Sequence, residues 1–132
     1  MLVFLGCVNT TVCAVEVILH PSVSEKQLST AQLRRIYTMR QIQWADGQRI
    51  TVYMLPRQHE LHLLFSKERL QMFPYQLDRI WNKLTYSGLG VAPITVSTPE
   101  LLFQSVKTTP GAIGYVKNSQ GMEGLNVVKI TN

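Results

Sequence analysis

Cysteine is almost missing from this sequence. Its two copies, Cys7 and Cys13, both precede Val15, so the rest of the chain can form neither a disulfide framework nor a thiolate metal cage. Charge is sparse and mostly of one sign, with 13 Lys plus Arg against 8 Asp plus Glu and no run of three basic residues. Cations scattered in this way make a solvated surface with a weak general attraction for anions. Aromatics are not interleaved with them as a single-strand platform requires, so nucleic acid is not an expected partner. Enzyme signals are lacking too: there is no nucleophile elbow, phosphate loop or paired catalytic carboxylate. Only three histidines occur. His59 and His62 could share a helix face and hold a metal, but a third ligand is missing. They are read as a surface pair, and neither cofactor nor metal is expected.

The one long uncharged stretch runs from Met1 to Ala14 and includes Leu2-Val3-Phe4-Leu5. It is too short to span a bilayer, so the chain is not expected to cross a membrane. It ends in Val12-Cys13-Ala14, which suits a small-residue cleavage site, although a basic leader is lacking. Residues 1–14 are therefore read as the remnant of a signal peptide, with residues 15–132 as one exported domain. A first strand of the fold is the alternative for this stretch. A lipoprotein box at Leu5-Gly6-Cys7 is a lesser one.

The chain has 132 residues and 45% hydrophobic content, enough to bury a core without staples. Val15-Glu16-Val17-Ile18-Leu19 reads as a strand stopped by His20-Pro21. Ser29-Thr30-Ala31-Gln32 is a capping box, with Leu28 and Leu33 as its hydrophobic staple. Leu33, Ile36 and Tyr37 form the stripe of a short helix. A loop over Gln41 to Gln48 ends in the turn Asp46-Gly47, with Trp44 as its packing anchor, and Arg49 to Met54 is a second strand. Pro56 suits the start of a helix carrying Leu61, Leu64 and Phe65. Pro74 opens another, with Leu77, Ile80, Trp81 and Leu84 in helical register. Pro93 to Val96 is a short strand, and Thr98-Pro99-Glu100 starts a further helix. Pro110-Gly111 is a tight turn into a strand, and Leu125 to Ile130 is the last strand. Gly114, inside the strand after that turn, leaves room for close approach by another backbone or a ligand. Met39, Met54, Met72 and Met122 are core fillers. Strands alternating with helices predict an α/β fold, a single mixed sheet flanked by helices.

Several spaced motifs carry a resemblance. They are Leu28-Ser29-Thr30-Ala31-Gln32-Leu33-Arg34-Arg35-Ile36-Tyr37, then Trp44, Asp46-Gly47 and Ile50, then Tyr86-Ser87-Gly88 with Gly90, Glu100-Leu101-Leu102 with Val106, and Pro110-Gly111-Ala112-Ile113-Gly114-Tyr115-Val116. In this order they resemble the phosphate ABC transporter substrate-binding proteins, of the type 2 periplasmic-binding superfamily. The resemblance implies one lobe of a two-lobed fold, a periplasmic location, binding rather than catalysis, and inorganic phosphate or another small oxyanion as ligand. It makes Trp44, Asp46, Gly47, Pro110, Gly111 and Gly114 structural motif positions. Family members place an Arg, an Asp and a Ser-Gly-Thr after the strand that corresponds to Ile50–Met54. Here the stretch reads Leu55-Pro56-Arg57-Gln58-His59-Glu60-Leu61. Arg57, Gln58 and His59 are the ligand-binding candidates of a degraded anion site, since Pro56 removes a donor and Glu60 adds a competing carboxylate.

Weak or lost anion binding is the expectation. The alternative is a ligand-free protein-interaction module of the cell envelope, with a protein partner or a homodimer. On that reading the loops starting at Met54, Tyr86 and Thr108 cluster and present Leu55, Pro56, Tyr86, Leu89 and Pro110 as an apolar patch.

Overall fold

The computed structural model describes residues 15–88, 92–117 and 124–132. The proposed signal segment with Cys7 and Cys13, and also Leu89, Gly90 and Met122, lie outside the described residues.

A six-stranded mixed sheet organises the described chain. Its strands are β1 (Val15–Leu19), β2 (Gln27–Ser29), β3 (Thr51–Met54), β4 (Ile94–Thr95), β5 (Ala112–Lys117) and β6 (Asn126–Thr131), in the spatial order β2-β6-β1-β5-β3-β4. Strand β1 runs against both of its neighbours, β5 and β6. The β2–β6, β5–β3 and β3–β4 pairs are parallel. The expected α/β class with one mixed sheet is therefore what the chain forms.

The helices are α1 (Thr30–Tyr37), α2 (Glu60–Phe65), α3 (Pro74–Ser87) and α4 (Pro99–Thr108). Ser29 caps α1 by accepting the Gln32 N–H at 3.0 Å, and Leu28 and Leu33 are both buried beside it, the arrangement of a staple. Thr98 caps α4 through the Leu101 N–H, with Pro99 in the first turn, where a missing N–H costs nothing. Helix α3 buries Leu77 and Trp81, with Ile80 and Leu84 partly covered.

One local reading needs correction, and two elements are additions to it. Helix α2 starts at Glu60 rather than at Pro56, whose carbonyl instead accepts the His59 N–H. It runs on into a π-helical turn, Ser66–Leu70, which ends at Gln71 with φ +53°. Arg34 closes that end by donating Nε to the Leu70 carbonyl at 2.7 Å. Strand β2 was not foreseen. It is three residues long, abuts α1 directly and holds by backbone pairing to β6.

Side chains of adjacent strand residues point to opposite faces, and Gly114 and Tyr115 show both faces of the sheet covered. A Cβ on Gly114 would stand 2.6 Å from Leu102 Cδ2 and 2.7 Å from Val106 Cγ2. The group that approaches Gly114 closely is thus helix α4, not a ligand or another backbone. On the other face, Tyr115 stacks on Phe65 of α2, with ring centroids 4.0 Å apart and planes 10° from parallel. Tyr37 completes this aromatic centre, 4.8 Å from Phe65. All three rings are fully buried.

Candidate functional site

The motif residues first build a corner at the start of β3 and β5. Asp46 accepts the Gln48 N–H at 2.9 Å, and Gly47 adopts φ +89°. The Gly47 N–H meets the Trp44 carbonyl, and the Trp44 N–H meets the Gln48 carbonyl. This is a three-residue hairpin loop whose last residue needs the left-handed region. Trp44 is buried and donates its indole N–H to the Gly111 carbonyl at 2.9 Å. Pro110-Gly111 forms a turn closed by the Ala112 N–H on the Thr109 carbonyl, and Gly111 has φ +79°, the geometry of a type II turn. Ser22 Oγ accepts the Gly111 N–H at 3.1 Å. These contacts lock backbone.

This corner lies at the opposite end of β3 from Leu55. Thr51 pairs with Ala112 at the start of both parallel strands, whereas Met54 and Leu55 follow the other end. The loop after Thr108 therefore does not cluster with the loop after Met54. Leu55 is fully buried, and its N–H donates to the Tyr115 hydroxyl at 2.8 Å. The expected apolar patch of Leu55, Pro56, Tyr86 and Pro110 does not form, although Tyr86 is 90% exposed.

Arg57, Gln58 and His59 stand at the C-terminal end of β3, just before α2. His59 is the N-cap of α2, and its Nδ1 accepts the Leu61 N–H at 3.1 Å. Arg57 reaches Asp78 of α3, Nη1 to Oδ2 at 3.6 Å. Gln58 is exposed. A helix start favours anions through its free N–H groups and its dipole. Here one of those N–H groups is taken by the cap, Glu60 occupies the first turn, and the nearby guanidinium already faces a carboxylate.

His62 was misread as a surface residue. It is fully buried, and Nδ1 lies 2.7 Å from the Tyr115 hydroxyl. Tyr115 also accepts the Leu55 N–H, so its one hydroxyl joins a backbone donor to the imidazole. His62 Nε2 and Asp78 Oδ1 are both buried without a hydrogen-bond partner. Burial lowers the His62 pKa to about 4, against the opposing pull of the Asp78 carboxylate and with a smaller push from His59. Burial also raises the Tyr115 and Tyr37 phenols. His59 and His62 thus serve two separate tasks and do not converge. Among the described residues no group of three or more His, Cys, Asp or Glu could hold a metal.

A cleft of about 230 Å³ opens beside Arg57 and Asp78, between α3 and the β3–β4 edge. Trp81, Asn82, Thr85 and Thr95 also line it. Sequence reasoning missed Asp78, Asn82 and Thr85, which belong to this wall. Their spacing along α3 was visible, but the opposing strand β4 has only two residues to mark it.

No protein-family model matches the sequence, and no curated protein matches it either. Solved structures do match. A phosphate ABC transporter substrate-binding protein from Clostridium perfringens, solved with phosphate bound, is 18% identical with a TM-score of 0.68. The match covers 89% of this chain and 44% of that one. An ABC-type phosphate transport receptor from Vibrio cholerae gives 12% identity, a TM-score of 0.62 and coverage of 89% and 46%. PstS from Borrelia burgdorferi gives 15%, 0.64, and 90% and 47%. The chain therefore has the α/β fold of part of a phosphate-type substrate-binding protein, and it spans less than half the length of each of these structures. Among the described residues no helix is long and apolar enough to cross a membrane.

Proposed function

We propose that this chain is an exported, periplasmic solute-binding-like protein of the phosphate-receptor type, acting by binding rather than catalysis, whose anion affinity is weak or lost. The observation that carries this reading is the state of the α2 start. His59 Nδ1 takes the Leu61 N–H, and Asp78 faces Arg57. An incoming phosphate must displace the first contact and lie close to the second carboxylate, and both oppose binding. The fold shared with phosphate-binding proteins supports the solute-binding part of the reading. Calorimetric titration with inorganic phosphate tests it. A Kd of about 1 μM or tighter, near −8 kcal/mol, is too strong for this arrangement and overturns it.

A second reading, an interaction module of the cell envelope, has one observation in its favour. Phe73 and Tyr75 at the start of α3 are 64% and 58% exposed and stack on each other, with centroids 5.7 Å apart. Exposed paired aromatics are interface chemistry. Sedimentation at micromolar concentration tests self-association, and crosslinking in the periplasm tests a foreign partner.

A further inference from the structure

The cleft between α3 and the β3–β4 edge has a wall whose charges offset each other. Arg57 contributes the cation and Asp78 the anion, and the remaining polar groups, Asn82, Thr85 and Thr95, are neutral. The Arg57–Asp78 contact is loose. At 3.6 Å it is an ion pair but too long for a hydrogen bond. The Asp78 side chain is 28% exposed while its Oδ1 is buried, so the part open to the cleft is the Oδ2 side. A carboxylate can accept about four hydrogen bonds, and this one has capacity unused. The Thr85 hydroxyl donates its proton to the Trp81 carbonyl at 2.9 Å, which leaves its lone pairs free to accept. Pro93 and the edges of the otherwise buried Met54 and Trp81 add apolar surface to the same wall.

These features select a ligand by charge. An anion entering the cleft meets the Asp78 carboxylate at short range, and a cation meets Arg57. A neutral molecule rich in hydroxyls meets neither penalty. Its O–H groups donate to Asp78 and Thr85 and accept from Arg57 and Asn82, while its C–H face lies on Trp81, Met54 and Pro93. We infer that this cleft is a binding site for a small neutral polyhydroxylated ligand, a monosaccharide or a cyclitol. The inference rests on the solute-binding reading above and names a ligand class for it.

The test uses the two indole N–H resonances. Trp81 borders the cleft, while Trp44 sits in the distant turn corner and serves as internal reference. The protein is titrated separately with D-glucose, myo-inositol, inorganic phosphate and glycine. The expected result is a saturable shift of Trp81 with one or both polyols at millimolar concentration, with Trp44 unmoved. Asp78→Ala should weaken that binding about tenfold, the scale of a hydrogen bond to a charged group. Asn82→Ala, at an exposed helix position, should weaken it several-fold with the fold intact. Response of Trp81 to phosphate or glycine but not to the polyols overturns the inference, and so does no response to any of the four. Tight phosphate binding reported at the Glu60 and Leu61 amides strikes the weak-anion reading instead, and the polyol result at Trp81 is scored independently of it.

Discussion

The hydroxyl of Tyr115 stands 2.7 Å from Nδ1 of His62, joining β5 to α2 across 53 residues of sequence. The same hydroxyl accepts the Leu55 N–H at 2.8 Å. One oxygen thus satisfies a backbone donor and a buried imidazole, at the point where β3 gives way to the candidate ligand loop. Tyr115→Phe keeps the ring stacked on Phe65 and removes only this oxygen. Both partners are then left unpaired in the core. The expected loss is on the order of 2–4 kcal/mol by urea denaturation, and a loss below about 0.5 kcal/mol would mean that water reaches both groups.

His62 gives the fold a pH dependence with a definite sign. Its pKa falls to about 4 in the folded protein, against about 6.5 when unfolded. The unfolded chain therefore binds the proton more readily between these values, and stability is lost as pH falls from about 6.5 towards 4, by about 1.4 kcal/mol per pH unit. Above about 6.5 this contribution is complete. Carboxylates also titrate at the acid end, so the readout is a comparison. The native protein should lose about 2 kcal/mol more than His62→Gln between pH 6.5 and pH 5. Equal losses in the two proteins would place the imidazole in contact with solvent.

The sequence carried most of the fold because most of its signals are local. The Ser29 cap, the α3 stripe of Leu77 and Trp81, and the Asp46-Gly47 and Pro110-Gly111 turns are each set by residues within a few positions. Strand β2 escaped because three residues with Leu28 as the single apolar one are too few for their alternation to mark a strand. The site was less legible. His62 sits three residues before Phe65, on the helix face that packs against Tyr115, and that spacing was the available sign of its burial. Asp78 could not be joined to Arg57 in advance, since nothing local says that α3 turns this residue towards the α2 loop. Pro56 misled through a sound rule, because proline suits a first helical turn but also suits the loop it occupies here.

The turn corner should matter for folding. Gly111 has φ +79°, and a Cβ there would collide with the Arg49 carbonyl oxygen. Gly111→Val adds a β-branched side chain to a left-handed backbone as well as the clash. The expected cost is at least about 1–3 kcal/mol, seen as a lowered Tm. Trp44→Phe removes the indole N–H that reaches the Gly111 carbonyl together with part of a buried ring, while that carbonyl keeps the Thr51 N–H at 3.3 Å. It should cost about 1–2 kcal/mol. If the tryptophan change proves the more damaging of the two, packing of the indole rather than the glycine conformation governs this corner.

Asp78 links the two ligand readings, and removing it should move them in opposite directions. In the native protein its carboxylate faces the Arg57 guanidinium, whose side chain is 57% exposed. An ion pair this open is worth about 0.2–1 kcal/mol. Asp78→Ala frees Arg57 and deletes a negative charge near the start of α2, so phosphate should bind more tightly. The gain should be about 1.5- to 5-fold, the same energy read as affinity. It should also shrink as salt is raised, because the groups are near the surface. Polyol binding in the cleft should weaken in the same variant. Phosphate affinity left unchanged by Asp78→Ala, with the fold intact by circular dichroism, would show that Arg57 does not limit anion binding. The His59 cap and Glu60 would then account for the weakness, and His59→Gly would become the variant in which phosphate binding is sought.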